Sequence, residues 1–171
     1  MLRGVNVGGK KVEMEKLRHV YESLSFGNVR SYIQSGNVLF ESSNSDAHLL
    51  VNRIEKEIAR AFGFDVSIIM RTDKEIRKII ENNPLSGKDP TKLHVTFLLK
   101  EPDDFPIEEV RRVKDKAEDF AIKGKEIYLF CPNGYGKTKL SNSFFEKKLK
   151  TVATTRNWRT VNTFLTMAAS N

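Results

Sequence analysis

A chain of 171 residues has room for one domain or two small fused ones, and at that size no covalent staple is required. An apolar share of 39% beside a charged share of 30% excludes disorder, and no apolar run approaches the roughly 18 residues that a membrane span needs. The single cysteine, Cys131, excludes an internal disulfide and a cysteine-based metal cluster, and the formal charge of +7 directs attention to anionic partners.

In chain order, Leu2 to Val7 reads as a short strand ended by Gly8-Gly9. Met14, Leu17, Val20, Tyr21 and Leu24 then recur at helical spacing. Val29 to Gln34 and Asn37 to Ser42 form a hairpin around Ser35-Gly36, because glycine and asparagine tolerate the positive φ of tight turns. Ser45 is the expected cap of a helix running to Phe62, and Val66, Ile68 and Met70 alternate as a strand. Thr72-Asp73-Lys74-Glu75 is a capping box that starts a short helix. Pro84 to Pro90 is the expected connection between two halves, 1–83 and 84–171.

The second half repeats the order. Leu93 to Leu99 alternates with little charge and should be a central strand. A helix opens at Pro106, and a hairpin turns at Lys123-Gly124-Lys125. Ser143 to Glu146 matches a second capping box, and Thr154-Thr155 is the expected start of a final helix. The fold class is therefore α+β, with two ferredoxin-like βαββα(β) halves whose antiparallel sheets carry helices on one face.

Charge is concentrated. Between Lys137 and Arg159 seven cations face one acid, Glu146, so nearly the whole net charge lies in this segment. Such a segment attracts phosphorylated small molecules or nucleic-acid backbone, or is simply a solvated basic face. Gly134-Tyr135-Gly136-Lys137-Thr138 resembles a phosphate loop, but Cys131 stands where the first glycine belongs and the preceding strand is part of a hairpin. A Gly-rich turn with Lys137 as a basic tip fits better. Thr154-Thr155-Arg156-Asn157-Trp158-Arg159 would place two arginines in the first turn of a helix, against the helix dipole, which an anion would compensate. Arg3 and Asn6, ahead of Gly8-Gly9-Lys10-Lys11, mark another polar junction, with a plain turn as the simpler reading. Val38-Leu39-Phe40-Glu41 lacks the motif of RNA-binding sheets. His19, His48 and His94 are too far apart in sequence for a recognisable metal motif, and no Ser, Cys or His stands in a nucleophile motif.

Three segments together, Leu2 to Gly9, Tyr32 to Phe40 and Ala153 to Asn162, resemble the signatures of a bacterial family known as domain of unknown function 1697. The resemblance spans nearly the whole chain and implies a two-part α+β fold with ferredoxin-like halves. It implies no activity. It does point to Arg3, Asn6, Gln34, Ser35, Asn37, Thr154, Thr155, Arg156, Asn157 and Arg159 as a recurring polar set. Members of that family usually carry several more residues before Leu-Arg-Gly, so the first strand here is either truncated or has its start misassigned.

These readings rank a cytoplasmic module binding an anionic, phosphate-containing ligand first. A structural role, in which the polar motifs lock the two halves, comes second. An enzyme acting on a phosphorylated small molecule comes third, since the motifs contain no histidine or paired carboxylates to serve as a base. Neither a metal nor a cofactor is implied, and the sequence leaves the oligomeric state open.

Overall fold

The computed structural model describes residues 1–170. The fold is α+β, with a two-stranded and a four-stranded antiparallel sheet. The chain divides into two compact units, Met1–Met70 and Arg71–Asn171.

In the first unit, α1 (Met14–Ser23) and α2 (Ala47–Phe62) accompany a hairpin of β1 (Gly27–Tyr32) and β2 (Asn37–Glu41). Their apolar faces meet in one core, with Leu17, Tyr21, Ile54 and Ile58 buried. Asp46, not Ser45, caps α2, its side chain accepting from the Leu49 N–H. The outer strands expected at Leu2–Val7 and Val66–Met70 are reduced to one antiparallel bridge, Leu2 to Ile68. The cause is local: positive φ at Gly4 and Asn6 turns the first segment away from extended geometry.

The second unit begins with α3 (Asp73–Glu81), started by the expected capping box at Thr72 and Glu75. Its sheet comprises β3 (Leu93–Leu98), β4 (Asp119–Lys123), β5 (Glu126–Phe130) and β6 (Ala153–Asn157), in the order β4-β5-β3-β6. Between them run α4 (Ile107–Val113) and α5 (Asn142–Leu149), so the β-α-β-β-α-β order of a split βαβ unit is complete. Val110 of α4 and Phe145 and Leu149 of α5 cover one sheet face, packing on Leu98, Ile127, Leu129 and Ala153. Ser141 caps α5, two residues ahead of the expected Ser143. On the other face Tyr128 donates its hydroxyl proton to the Ile79 carbonyl of α3. The final helix, α6 (Trp158–Ala169), packs on α3 and β3. These contacts explain why α3 belongs to the second unit, ahead of the division at 83/84 drawn from the sequence.

The largest departure from the sequence reading is β6. Thr154-Thr155 does not open a helix; it lies in a strand, and α6 starts at Trp158 with Asn157 as its cap. Two physical reasons converge. Consecutive β-branched threonines favour extended backbone. A strand as apolar and buried as β3 must also be paired along both edges, and β6 supplies the second edge through Thr96–Thr155 and its neighbours.

Candidate functional site

The polar residues singled out in the sequence are divided between the two units. Arg3, Asn6, Gln34, Ser35 and Asn37 belong to the first unit, and Lys137, Thr154, Thr155, Arg156, Asn157 and Arg159 to the second.

In the first unit the motif residues close a loop. The Asn6 amide is used at both ends: Nδ2 donates to the carbonyls of Val12 (2.9 Å) and Gln34 (2.6 Å), and Oδ1 accepts from the Val12 N–H (2.8 Å). Asn37, fully buried, donates from Nδ2 to the Tyr32 carbonyl and to Ser35 Oγ. The Gly36 carbonyl accepts from the Leu2 N–H, and the Arg3 N–H donates to the Ser67 carbonyl. The connection is thereby four residues, Ile33 to Gly36, instead of a two-residue turn at Ser35-Gly36.

One member of that loop is strained. Ile33 has a φ of 50°, a region that β-branched residues avoid at a cost of roughly 1–2 kcal/mol, and its side chain is half exposed. Ile33→Asn is expected to raise stability by about 1 kcal/mol, because asparagine tolerates this conformation and little packing is lost. A melting temperature that falls instead would mean that the Ile33 side chain packs better than its exposure indicates.

In β6 alternate residues point to opposite faces, so the third motif is divided. Thr154 and Arg156 stand opposite Phe97 and Val95. Arg156 is buried, and its Nη1 donates to Thr154 Oγ1 and to the Thr155 carbonyl, both at 2.8 Å. It is not in a helix first turn, as the sequence suggested, and it sits away from solvent. Arg159 alone occupies the first turn of α6 and is exposed.

Thr155 and Asn157 share the opposite face with Thr96 and His94. Here the structure assembles residues that the sequence reading did not connect. Thr155 Oγ1 donates to Asn142 Oδ1 (2.7 Å) and accepts from the Tyr135 hydroxyl (3.0 Å). The Thr96 hydroxyl lies 2.7 Å away. A hydroxyl has one proton and two acceptor sites. Thr155 spends its proton on Asn142, so Thr96 is the donor to it and Thr155 is saturated. The Tyr135 ring stacks on His94 at 5.1 Å between centroids, and His94 Nδ1 lies 3.3 Å from the Lys92 carbonyl. Burial pushes the His94 imidazole below its ordinary pKa, against a smaller opposing effect of that carbonyl. His94 and Tyr135 were missed because they lie 41 residues apart in the chain; the antiparallel pairing of β3 with β6 brings His94 to this face, and the Tyr135 hydroxyl reaches Thr155 from the turn after β5.

Beyond these bonds, hydrogen-bonding capacity is left over. The Asn142 oxygen is committed to Thr155, and the Asn157 oxygen accepts from the Thr160 N–H (2.8 Å). Each amide therefore keeps its NH2 end for solvent or a ligand. Lys137, Lys139 and Arg159 are exposed, with no acidic partner among the described residues. Lys148, by contrast, pairs with Glu109. The one acid of the basic segment, Glu146, is drawn away to accept from the Ala153 N–H at the start of β6.

The Gly-rich segment after β5 winds into a three-residue 3-10 turn, Tyr135–Lys137, and does not open an α-helix. Cys131 is buried and its thiol is pushed up to about 12, first by burial and then by Glu118, which suits a core residue and not a nucleophile. Among the described residues no group of His, Cys, Asp and Glu could hold a metal ion, and no helix is long and apolar enough to cross a membrane.

The model of the family described as "Protein of unknown function (DUF1697)" matches residues 1–128. The match covers the first two sequence signatures and ends ahead of the third. Among solved structures, a conserved bacterial protein, SP0830 from Streptococcus pneumoniae, is similar over 98% of this chain and 95% of its own, with a TM-score of 0.70 and 26% identity. No curated protein matches the chain.

Proposed function

The chain belongs to the DUF1697 family, to which no activity is attached, and we propose that it is a cytoplasmic binding module for a phosphate-containing anion. The site is the end of the second unit's sheet where β3 begins and β6 ends. The observation that carries this reading is the charge arrangement there. Lys137, Lys139 and Arg159 are exposed, without acidic partners among the described residues, and Asn142 and Asn157, whose oxygens are committed, keep their NH2 groups as donors. Cations and amide N–H groups are the donors that oxyanions recruit. Arg156 and Thr154 serve as framework for β6, not as ligand contacts.

Titration calorimetry with inorganic phosphate tests the reading. Lys137→Ala and Arg159→Ala are each expected to weaken binding about three- to tenfold, the range of one exposed charge contact. Lys147→Ala, also exposed and basic but on the far part of α5, should change it less than twofold. Equal small effects at all three positions would reduce the site to diffuse basic charge.

A structural role within the first unit is the better reading for its motifs. Asn6, Ser35, Gly36 and Asn37 direct their polar groups at neighbouring backbone or at one another.

A further inference from the structure

We infer that His94 makes this end of the second unit selective for an oxyanion that carries a proton, such as hydrogen phosphate or a phosphomonoester monoanion, over one that carries none, such as sulfate. The inference rests on the anion-binding reading above and adds the chemistry of the ligand. Three facts about the ring support it.

First, one tautomer is favoured: the Lys92 carbonyl, 3.3 Å from Nδ1, can only accept, which favours the proton on Nδ1 and a lone pair on Nε2. Second, that lone pair is available. Nε2 has no hydrogen-bond partner among the described residues, and His94 is only partly buried. Third, the ring is held in place. It stacks on Tyr135, whose hydroxyl is tied to Thr155. Burial disfavours the imidazolium form, which keeps the lone pair at neutral pH.

The neighbours of His94 cannot make this distinction themselves. Asn157 stands directly across from it in β6, with Arg159 two residues further on, and Lys137 lies two residues beyond Tyr135. All of these donate, and they would hold hydrogen phosphate and sulfate alike, since the two ions have the same shape and charge. An acceptor discriminates. It takes the P–OH proton from hydrogen phosphate as a hydrogen bond, and it meets only lone pairs on sulfate. A site built to pair one ligand group rejects the analogue that leaves its partner unpaired.

Binding of potassium phosphate and potassium sulfate to the intact chain, at pH 8 and constant ionic strength, tests the inference. Both ions are then doubly charged, and only phosphate has a proton. Phosphate is expected to bind about tenfold or more tightly, the worth of one hydrogen bond gained against one repulsion. His94→Phe keeps a ring on Tyr135 and removes the acceptor, so it should bring the two affinities within about twofold. Should that variant fail to fold, His94→Met offers the same loss of the acceptor with a thioether against the Tyr135 ring. Equal affinities in the unmodified chain would overturn the selectivity and leave anion binding standing, as would an unchanged preference in a folded His94 variant. No binding of either ion at tens of millimolar would overturn both.

Discussion

Replacing Arg71 by alanine is expected to destabilise the second unit by about 3–5 kcal/mol, the cost of removing one partner from a buried ion pair. The Arg71 side chain is 4% exposed and that of Glu126 is 12% exposed. Arg71 Nε meets Glu126 Oε1 at 2.8 Å, Nη2 donates to the Leu98 carbonyl at 2.7 Å, and the guanidinium lies over the Phe97 ring. These contacts gather the end of β3 and the start of β5 around one cation. Alanine would leave the Glu126 carboxylate and the Leu98 carbonyl buried without it. The double variant Arg71→Met with Glu126→Leu removes both charges and should recover a large part of the loss, because a buried pair as a whole often adds little over apolar packing. Urea unfolding measures both. A loss under about 1 kcal/mol for Arg71→Ala would show that water screens the pair.

Gly36→Ala is expected to cost roughly 2–5 kcal/mol, from two additive causes. The residue has a φ of 71°, worth about 1–2 kcal/mol against any side chain. An added Cβ would also lie 2.6 Å from Val5 Cγ2 and 2.8 Å from Leu2 Cβ, an overpacking worth about 1–3 kcal/mol. Gly63 separates the causes. Its φ is 78°, but nothing lies within 4 Å of the position a Cβ would take. Gly63→Ala should therefore show the backbone cost alone. Equal losses at the two sites would mean that Leu2 and Val5 move aside without cost, and the hairpin turn would not be fixed by the N-terminal segment as described.

The contrast between these glycines also shows what a sequence can and cannot convey. That Gly36 is in a turn was legible, since the Ser-Gly-Asn stretch between two apolar runs has no other easy conformation. That it is pressed against Leu2 was not, because the contact spans 34 residues and depends on the bridge between Leu2 and Ile68. Helical stretches were legible from their apolar spacing, as in α2, and the caps of α2 and α5 were readable to within two residues. The strand at Ala153–Asn157 was hidden. Thr-Thr-Arg-Asn is polar and has no alternation of apolar residues, and its serviceable helix cap, Asn157, lies at its end. The same threonines that cap helices also pair in strands, and the unsatisfied edge of β3 decided between the two.

The candidate site followed from that hidden strand. Thr155, Asn157, Arg159 and Lys137 were recognised from residue type and charge, while Thr96, His94, Tyr135 and Asn142 entered only when β6 was placed beside β3 and the start of α5. Arg156 moved the other way. Its charge singled it out, but strand alternation turns it to the opposite face, where Thr154 Oγ1 and the Thr155 carbonyl accept from it.

The most direct measurement of anion binding at this end of the sheet is the change in backbone amide NMR shifts on adding inorganic phosphate at fixed ionic strength. Saturable shifts concentrated at residues 94, 135–139, 142 and 157–159 are the expected result. Shifts that rise without saturation and spread over the exposed lysines of both units would contradict it.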